Sequence, residues 1–462
     1  MRARSLGVAA VLAAALCAPL PTAQAADLDA AFAKAAATYD VPRDLLVALA
    51  YAETHLDGHG GKPSASGGYG VMHLVSNPST HALEEAAKLT SQPVDALRTN
   101  DAANVQGGAA VLRAQADALG LDDAARKDAG RWYPAVAAYG HTSNDGTAKL
   151  YADAVYETLA KGVDARGVRV SGRAVQPDLG KYAEESRALA AATDYPGALW
   201  VPASTANYAV SNRPIDEPID RIIIHVTQGS YAGTISWFQN PSAAVSAHYV
   251  VRSSDGQITQ MVREKDRAWH AGVSSYNHRS VGIEHEGYID NASWFTDQMY
   301  RASAALTRNI ADRYGIPKDR THIIGHVEVP GADHTDPGPY WNWSTYMSYV
   351  TGAATNPYTP QKVCGDGYSV IDTQALGTSG TAYLLYNSAN GNNCVATLKS
   401  TSLGTATATS AFLEVQGSTR ITDSGNFTYY AGPVRAAAAD KCVKWGGKAG
   451  STSYESPFEH CG

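Results

Sequence analysis

The chain has 462 residues, 44% hydrophobic and 18% charged. That is ordinary for globular domains but too long for one core, so several domains are implied. A net charge of −7 removes the electrostatic case for nucleic acid as a partner. Tyr (26) and Trp (8) outnumber Phe (6), a bias that suits carbohydrate or peptide surfaces as well as plain β-domain packing.

Residues 1–25 read as an export signal. Arg2 and Arg4 give a basic start, 6–20 is an apolar run too short to span a bilayer, and Ala23-Gln24-Ala25 is a cleavage triplet. No later stretch is apolar for long enough to cross a membrane. The mature protein is therefore expected to be soluble, secreted (extracellular or cell-wall associated) and monomeric. Discarding Cys17 leaves Cys364, Cys394, Cys442 and Cys461, all near the C-terminus. An even number in an exported chain reads as two disulfides. Pairing of neighbours, 364 with 394 and 442 with 461, is the expectation. A site of four thiolates on zinc is the rival, weakened by the lack of a Cys-x-x-Cys pair.

Residues 26–170 are Ala-rich and read as an all-α domain. Asp40, Val41 and Pro42 open a helix that runs to Glu53, with Asp40 as its expected cap. It is apolar on nearly all sides, so it is expected to be central. A carboxylate at its C-terminal end has its charge disfavoured by dipole and surroundings, as a general acid requires. A Gly-rich turn, Gly67-Gly68-Tyr69-Gly70-Val71-Met72-His73-Leu74, follows. With Ala52-Glu53-Thr54, Asn104-Val105-Gln106-Gly107-Gly108 and Ala135-Val136-Ala137-Ala138-Tyr139-Gly140, this stretch resembles the lysozyme-like domain of lytic transglycosylases. The resemblance makes Glu53 the acid acting on a glycan. Thr54, His73 and Gly140 stand where that family usually has Ser, Gln and Asn. Residues 171–204 read as a linker, with a short helix over 181–191.

Residues 205–352 carry a mixed α/β pattern. Arg221-Ile222-Ile223-Ile224-His225-Val226 reads as a buried strand. Residues 246–252 and 257–262 form a hairpin about Ser253-Ser254-Asp255-Gly256. Ala268-Trp269-His270-Ala271-Gly272 is a loop, and 280–287 another strand. Alternation puts Glu284 and Glu286 on one face and His285 on the other, so the residues alone do not separate the two Glu. Thr296 caps a helix that ends near Tyr314. The stretch 325–339 then holds His326, Glu328, Asp333, His334 and Asp336 among three Gly and three Pro, a loop of fixed shape rich in ligand-type side chains.

This order of motifs resembles zinc-dependent N-acetylmuramoyl-L-alanine amidases of the amidase-2 type, which share a fold with peptidoglycan recognition proteins. The resemblance implies Zn2+ held by His225, His326 and Asp336, with Glu284 and His334 as catalytic residues. Two imidazoles and a carboxylate leave a tetrahedral position for water, as a catalytic zinc site requires. Trp269, His270 and His248 are expected to touch substrate. Glu328 and Asp333 are expected to shape the loop or face solvent.

Residues 353–361 read as a second linker. Residues 362–462 read as a small β-rich disulfide domain, with strands over 382–386, 394–398 and 427–430. Tyr429-Tyr430-Ala431-Gly432-Pro433 and Ser456-Pro457-Phe458-Glu459-His460-Cys461 resemble spore-associated protein A of actinomycetes, and cell-wall attachment is the expected role. Together these readings describe a secreted hydrolase acting on peptidoglycan, cutting the amide between the N-acetylmuramic acid lactyl group and L-Ala. A non-catalytic peptidoglycan-binding protein, or a bifunctional enzyme that also cuts glycan through Glu53, are the alternatives.

Overall fold

The computed structural model describes residues 22–183, 193–352 and 356–461. The export signal therefore lies outside the described residues, except that its last residues fall in the helix Thr22–Tyr39. Most of the short helix expected over 181–191 is likewise outside. The chain divides into two compact units, one of Met1–Met299 with Ile323–Tyr340 and one of Tyr300–His322 with Trp341–Gly462.

In the first unit, among the described residues, seven α-helices build the N-terminal body around Arg43–Thr54, whose Leu45, Leu46, Val47 and Leu49 are fully buried. This body is not all-α. Three short strands, Gly68–Tyr69, Leu74–Asn77 and Thr80–His81, form an antiparallel sheet, and Val163–Ala165 pairs with Val168–Val170. Strands of two to four residues are too short to show a period of two in sequence. Asp40 does not cap the central helix, whose N-cap is Pro42. Asp40 instead adopts φ +52° and accepts a hydrogen bond from Arg126 Nε at 2.8 Å.

The same unit holds a six-stranded mixed sheet, ordered Ile323–Gly325, Arg221–Val226, Ser280–His285, Tyr249–Val251, Ile258–Gln260 and Leu199–Trp200. The first four strands run parallel, and the hairpin about 253–256 supplies the antiparallel step. Ile222, Ile223 and Ile224 are fully buried. This explains the unbroken apolar run, since a central parallel strand is covered on both faces. Leu199–Trp200, inside the stretch read as a linker, is an edge strand.

His55, just past the central helix, stacks between Tyr51 (centroids 4.5 Å apart) and Trp294 of the sheet region (3.5 Å). Burial pushes the imidazole down to about 4. A His whose folded value lies below the unfolded one, near 6.5, favours the native state above pH 6.5 and opposes it as pH falls toward 4. His55→Phe keeps the stack without the charge. It is expected to remove on the order of 1 kcal/mol of acid-induced destabilisation, read as a flatter Tm profile between pH 7 and 4.

In the second unit, the helices Asp297–Tyr314 and Trp343–Thr351 meet through Tyr346, whose hydroxyl lies 2.9 Å from Ser303 Oγ and 2.6 Å from Thr307 Oγ1. The C-terminal part is two four-stranded antiparallel sheets closing on a core that includes Leu384, Val395, Leu413 and Trp445. Cys364–Cys394 and Cys442–Cys461 are bonded as expected. The strand expected over 427–430 is instead the turn between Ile421–Phe427 and Tyr430–Ala437. Its three aromatics suggest a strand, but their side chains flank a reversal.

Candidate metal centre

The site sits beyond the carboxyl ends of the parallel strands, where side chains from separate strands converge on one crevice. Register does the first part of the assembly. His225 and Glu284 are direct partners on adjacent parallel strands, so both project from the same face. Gly325 pairs with Ile224, which places His326 one step past its strand beside His225. The 325–339 loop then folds back, with Val327 N–H donating to Asp336 O at 2.9 Å, and brings the Asp336 carboxylate to the two imidazoles.

His225, His326 and Asp336 are 1%, 2% and 5% exposed. The two Nδ1 atoms lie 3.0 Å apart, and each is 3.3 Å from an Asp336 oxygen. A hydrogen-bond chain fixes which way the protons point. Ser280 Oγ–H donates to Tyr276 O at 2.6 Å, so Ser280 Oγ is left to accept from His270 Nε2–H at 3.2 Å. His270 Nδ1 must then accept from His225 Nε2–H, 2.9 Å away. That leaves the His225 Nδ1 lone pair facing the His326 nitrogen and the carboxylate. Lone pairs converging in a buried place are what a cation would satisfy. The donor set fits a tetrahedral ion with one open position.

The charges agree. Burial above all pushes His225 down to about 4, so the neutral form that ligates is the one present. Burial alone would raise Asp336, but the three imidazoles beside it, His225, His326 and His334, outweigh it and hold the carboxyl well below its usual range. Glu284 is pushed well up, by burial first and the Asp336 charge second. Its Oε2 is buried without a hydrogen-bond partner. His334 is half exposed and stacks on His326 with centroids 4.0 Å apart. Its Nδ1 lies 3.5 Å from Asp336 Oδ1, and that hydrogen bond raises its pKa.

Together with Trp269 and His270, these groups line one cleft of about 940 Å³. Two other residues expected at the substrate are not in it. His248 is fully buried, accepting from Gly282 N–H at 3.0 Å with Arg213 Nη2 2.8 Å from its Nε2, so it braces the sheet. Glu53 faces a different cavity. His270 lines the cleft, but its ring nitrogens are committed to His225 and Ser280, so it orients a ligand. Nothing local in the sequence separates that role from substrate contact. Glu286 accepts from Tyr231 N–H (2.9 Å) and Ser253 N–H (2.7 Å), holding two turns of backbone rather than the reaction centre. His285 Nδ1 lies 2.8 Å from His225 O, on the opposite side of the strand from Glu284. Glu328 accepts from Gly325 N–H at 2.7 Å and shapes the loop, and Asp333 is fully exposed. Loss of a partner that orients a metal-ligating His costs about 10–100-fold in metal affinity. His270→Ala is therefore expected to weaken cation binding by about that factor, measured by competition with a chelator, with the fold retained.

The family described as N-acetylmuramoyl-L-alanine amidase matches residues 215–339. N-acetylmuramoyl-L-alanine amidase A of Achromobacter lyticus is 42% identical over 183 residues, covering 36% of this chain and 100% of that protein. The 1,6-anhydro-N-acetylmuramyl-L-alanine amidase AmpD of Citrobacter freundii is 34% identical over 171 residues, covering 32% of this chain and 89% of its own length. Spore-associated protein A of Streptomyces coelicolor is 39% identical over 114 residues, covering 24% of this chain and 72% of that protein.

Proposed function

The chain belongs to the N-acetylmuramoyl-L-alanine amidase family, an enzyme acting on peptidoglycan, and from that premise we propose that it is a secreted, zinc-dependent hydrolase. The bond cut is the amide between the lactyl group of N-acetylmuramic acid and L-Ala of the stem peptide. The observation that carries this reading is the convergence of His225 Nδ1, His326 Nδ1 and the Asp336 carboxylate near Glu284, whose Oε2 is buried without a hydrogen-bond partner.

Zinc held by those three residues supplies Lewis acidity and lowers the pKa of water to about 7. The chain's own groups do the rest. Glu284 takes the proton of the attacking water and passes it to the departing amide nitrogen. Its buried, partnerless oxygen leaves it free for both transfers. His334, on the open side of the cleft, donates to the oxygen that gains charge as the carbonyl becomes tetrahedral. Its position beside Asp336 favours the protonated, donating form. Trp269 offers a part-exposed indole along the cleft for the sugar or peptide.

Export follows from the sequence of residues 1–25, and two disulfides in the C-terminal part suit an oxidising compartment. Among the described residues no helix is long and apolar enough to cross a membrane. The N-terminal body takes the lysozyme-like reading from its motifs, and the C-terminal part takes the cell-wall attachment reading. The protein is taken to act as a monomer.

Digestion of purified cell walls, followed by mass spectrometry, tests the reaction. The expected products are free stem peptides beginning at L-Ala and intact, unsubstituted glycan strands. Their absence in the presence of zinc overturns the reading.

A further inference from the structure

The N-terminal body bears a second cavity, of about 330 Å³, with Glu53 in its wall. In sequence Glu53 looks like an acid for cutting glycan. In the folded chain it also has structural partners. Glu53 is 4% exposed, and Ser230 Oγ–H donates to its Oε2 at 2.7 Å, with His73 Nδ1 at 3.3 Å from the same oxygen. Ser230 is the N-cap of the helix Tyr231–Gln239, which belongs to the sheet region. The carboxylate is therefore a joint between two parts of the unit. His73 is held in turn by Ser64 Oγ at 2.8 Å, and Gly68 makes room for its ring, since a Cβ at 68 would lie 2.2 Å from it. Among the described residues Glu53 is the one carboxylate lining the cavity, so no second one is at hand there for hydrolysis of a glycosidic bond by a carboxylate pair.

The cavity still has the chemistry of a binding site. Its lining combines uncharged amides and hydroxyls, among them Asn77, Ser79, Ser236 and Asn240, with the indole of Trp237. The buried Tyr151, beside Glu53, and the His141 Nε2, which makes no hydrogen bond, both line it. Neutral donors and acceptors beside an aromatic face suit N-acetylated sugars rather than charged peptides. The helix Tyr231–Gln239 is a shared wall. Gly233, Ser236 and Gln239 face this cavity, Thr234 and Phe238 face the metal cleft, and Trp237 and Ser66 line both.

We propose that this cavity is a non-hydrolytic subsite for the glycan strand, holding N-acetylated sugar residues of the same strand whose lactyl amide lies in the metal cleft. The proposal rests on the amidase reading above and extends it. The enzyme becomes one that prefers polymeric strands to isolated muramyl peptides.

Two experiments test it. Ser236 faces the cavity and is outside the metal cleft, so Ser236→Trp fills the subsite. The variant is expected to raise KM for uncross-linked polymeric strands about tenfold, equivalent to about 1.4 kcal/mol, while kcat and KM for a soluble N-acetylmuramyl peptide stay at wild-type values. Unchanged KM on both substrates overturns the subsite. Failure of the wild type to release peptide from either substrate overturns the amidase reading instead. The second experiment needs neither catalysis nor a variant. An N-acetylglucosamine tetramer, which has no lactyl amide, is expected to slow hydrogen exchange in 77–80 and 236–240 of the wild-type protein. No slowing at saturating tetramer overturns the subsite, whatever the outcome for Ser236→Trp. Glu53→Gln is expected to leave glycan strands uncut, as in the wild type; a glycan-cleavage product that disappears in this variant overturns the non-hydrolytic role.

Discussion

Glu284→Gln is expected to lower kcat for stem-peptide release by about 10²–10⁴-fold, the range a positioned general base contributes. Zinc content and KM should stay near wild type, because Glu284 is not one of the three converging donors. The change is nearly isosteric and introduces an amide that cannot take a proton. An equal loss in kcat and kcat/KM is the mark of an interaction made only in the transition state. The parallel change Glu286→Gln separates the two carboxylates. Glu286 binds backbone N–H groups of Tyr231 and Ser253, so its loss should act on stability. Burial holds it up to about 7, above its unfolded value, so it favours the native state at low pH and loses that contribution as pH rises through about 7. If Glu284→Gln keeps more than a tenth of wild-type kcat, the proton transfers belong to another group.

Asp336→Ala is expected to remove both metal and activity. The three donors are each more than nine-tenths buried, and the Asp336 carboxylate is the one negative charge among them. Without it, two neutral imidazoles remain to hold a dication, a weak site at any geometry. Elemental analysis should show stoichiometric zinc in the wild type and background in the variant, with peptide release lost. Stability gives a readout independent of turnover. A ligand at 100 times its Kd stabilises the state that binds it by about 2.7 kcal/mol. Wild-type Tm should therefore rise on adding zinc to chelator-stripped protein, and Asp336→Ala should show no rise. Equal zinc responses in the two proteins would place the metal elsewhere.

Much of this was legible in the chain because the signals are local. An Ile-rich strand ending in His225, a Gly- and Pro-bounded loop carrying His326, His334 and Asp336, and a strand carrying Glu284 each announce themselves within a few residues. Their order and spacing carry the family resemblance. The pairing of Cys364 with Cys394 and of Cys442 with Cys461 follows neighbours in sequence. What misled were short or reversed elements. The small sheet beside the central helix has strands of two to four residues. The aromatic stretch at 427–430 looks like a strand and turns instead.

Alternation and covalent spacing are properties of the chain alone, so the residue types that could form the site, and the strand faces on which they lie, are written in it. What each group does there was set by folding. Glu284 and Glu286 lie on one face by alternation, yet one opens into the cleft and the other ties backbone, because the strand ends between them at His285. His270 and His248 look alike in sequence, and what lies opposite each ring, Ser280 and His225 or Gly282 and Arg213, is set by strand register across crossovers. Glu53 looks like an acid in sequence, and the Ser230 hydroxyl that ties it to the sheet region comes from 177 residues away. A group's chemistry depends on its neighbours within a few ångströms, and folding brings those neighbours from parts of the chain that local sequence does not specify.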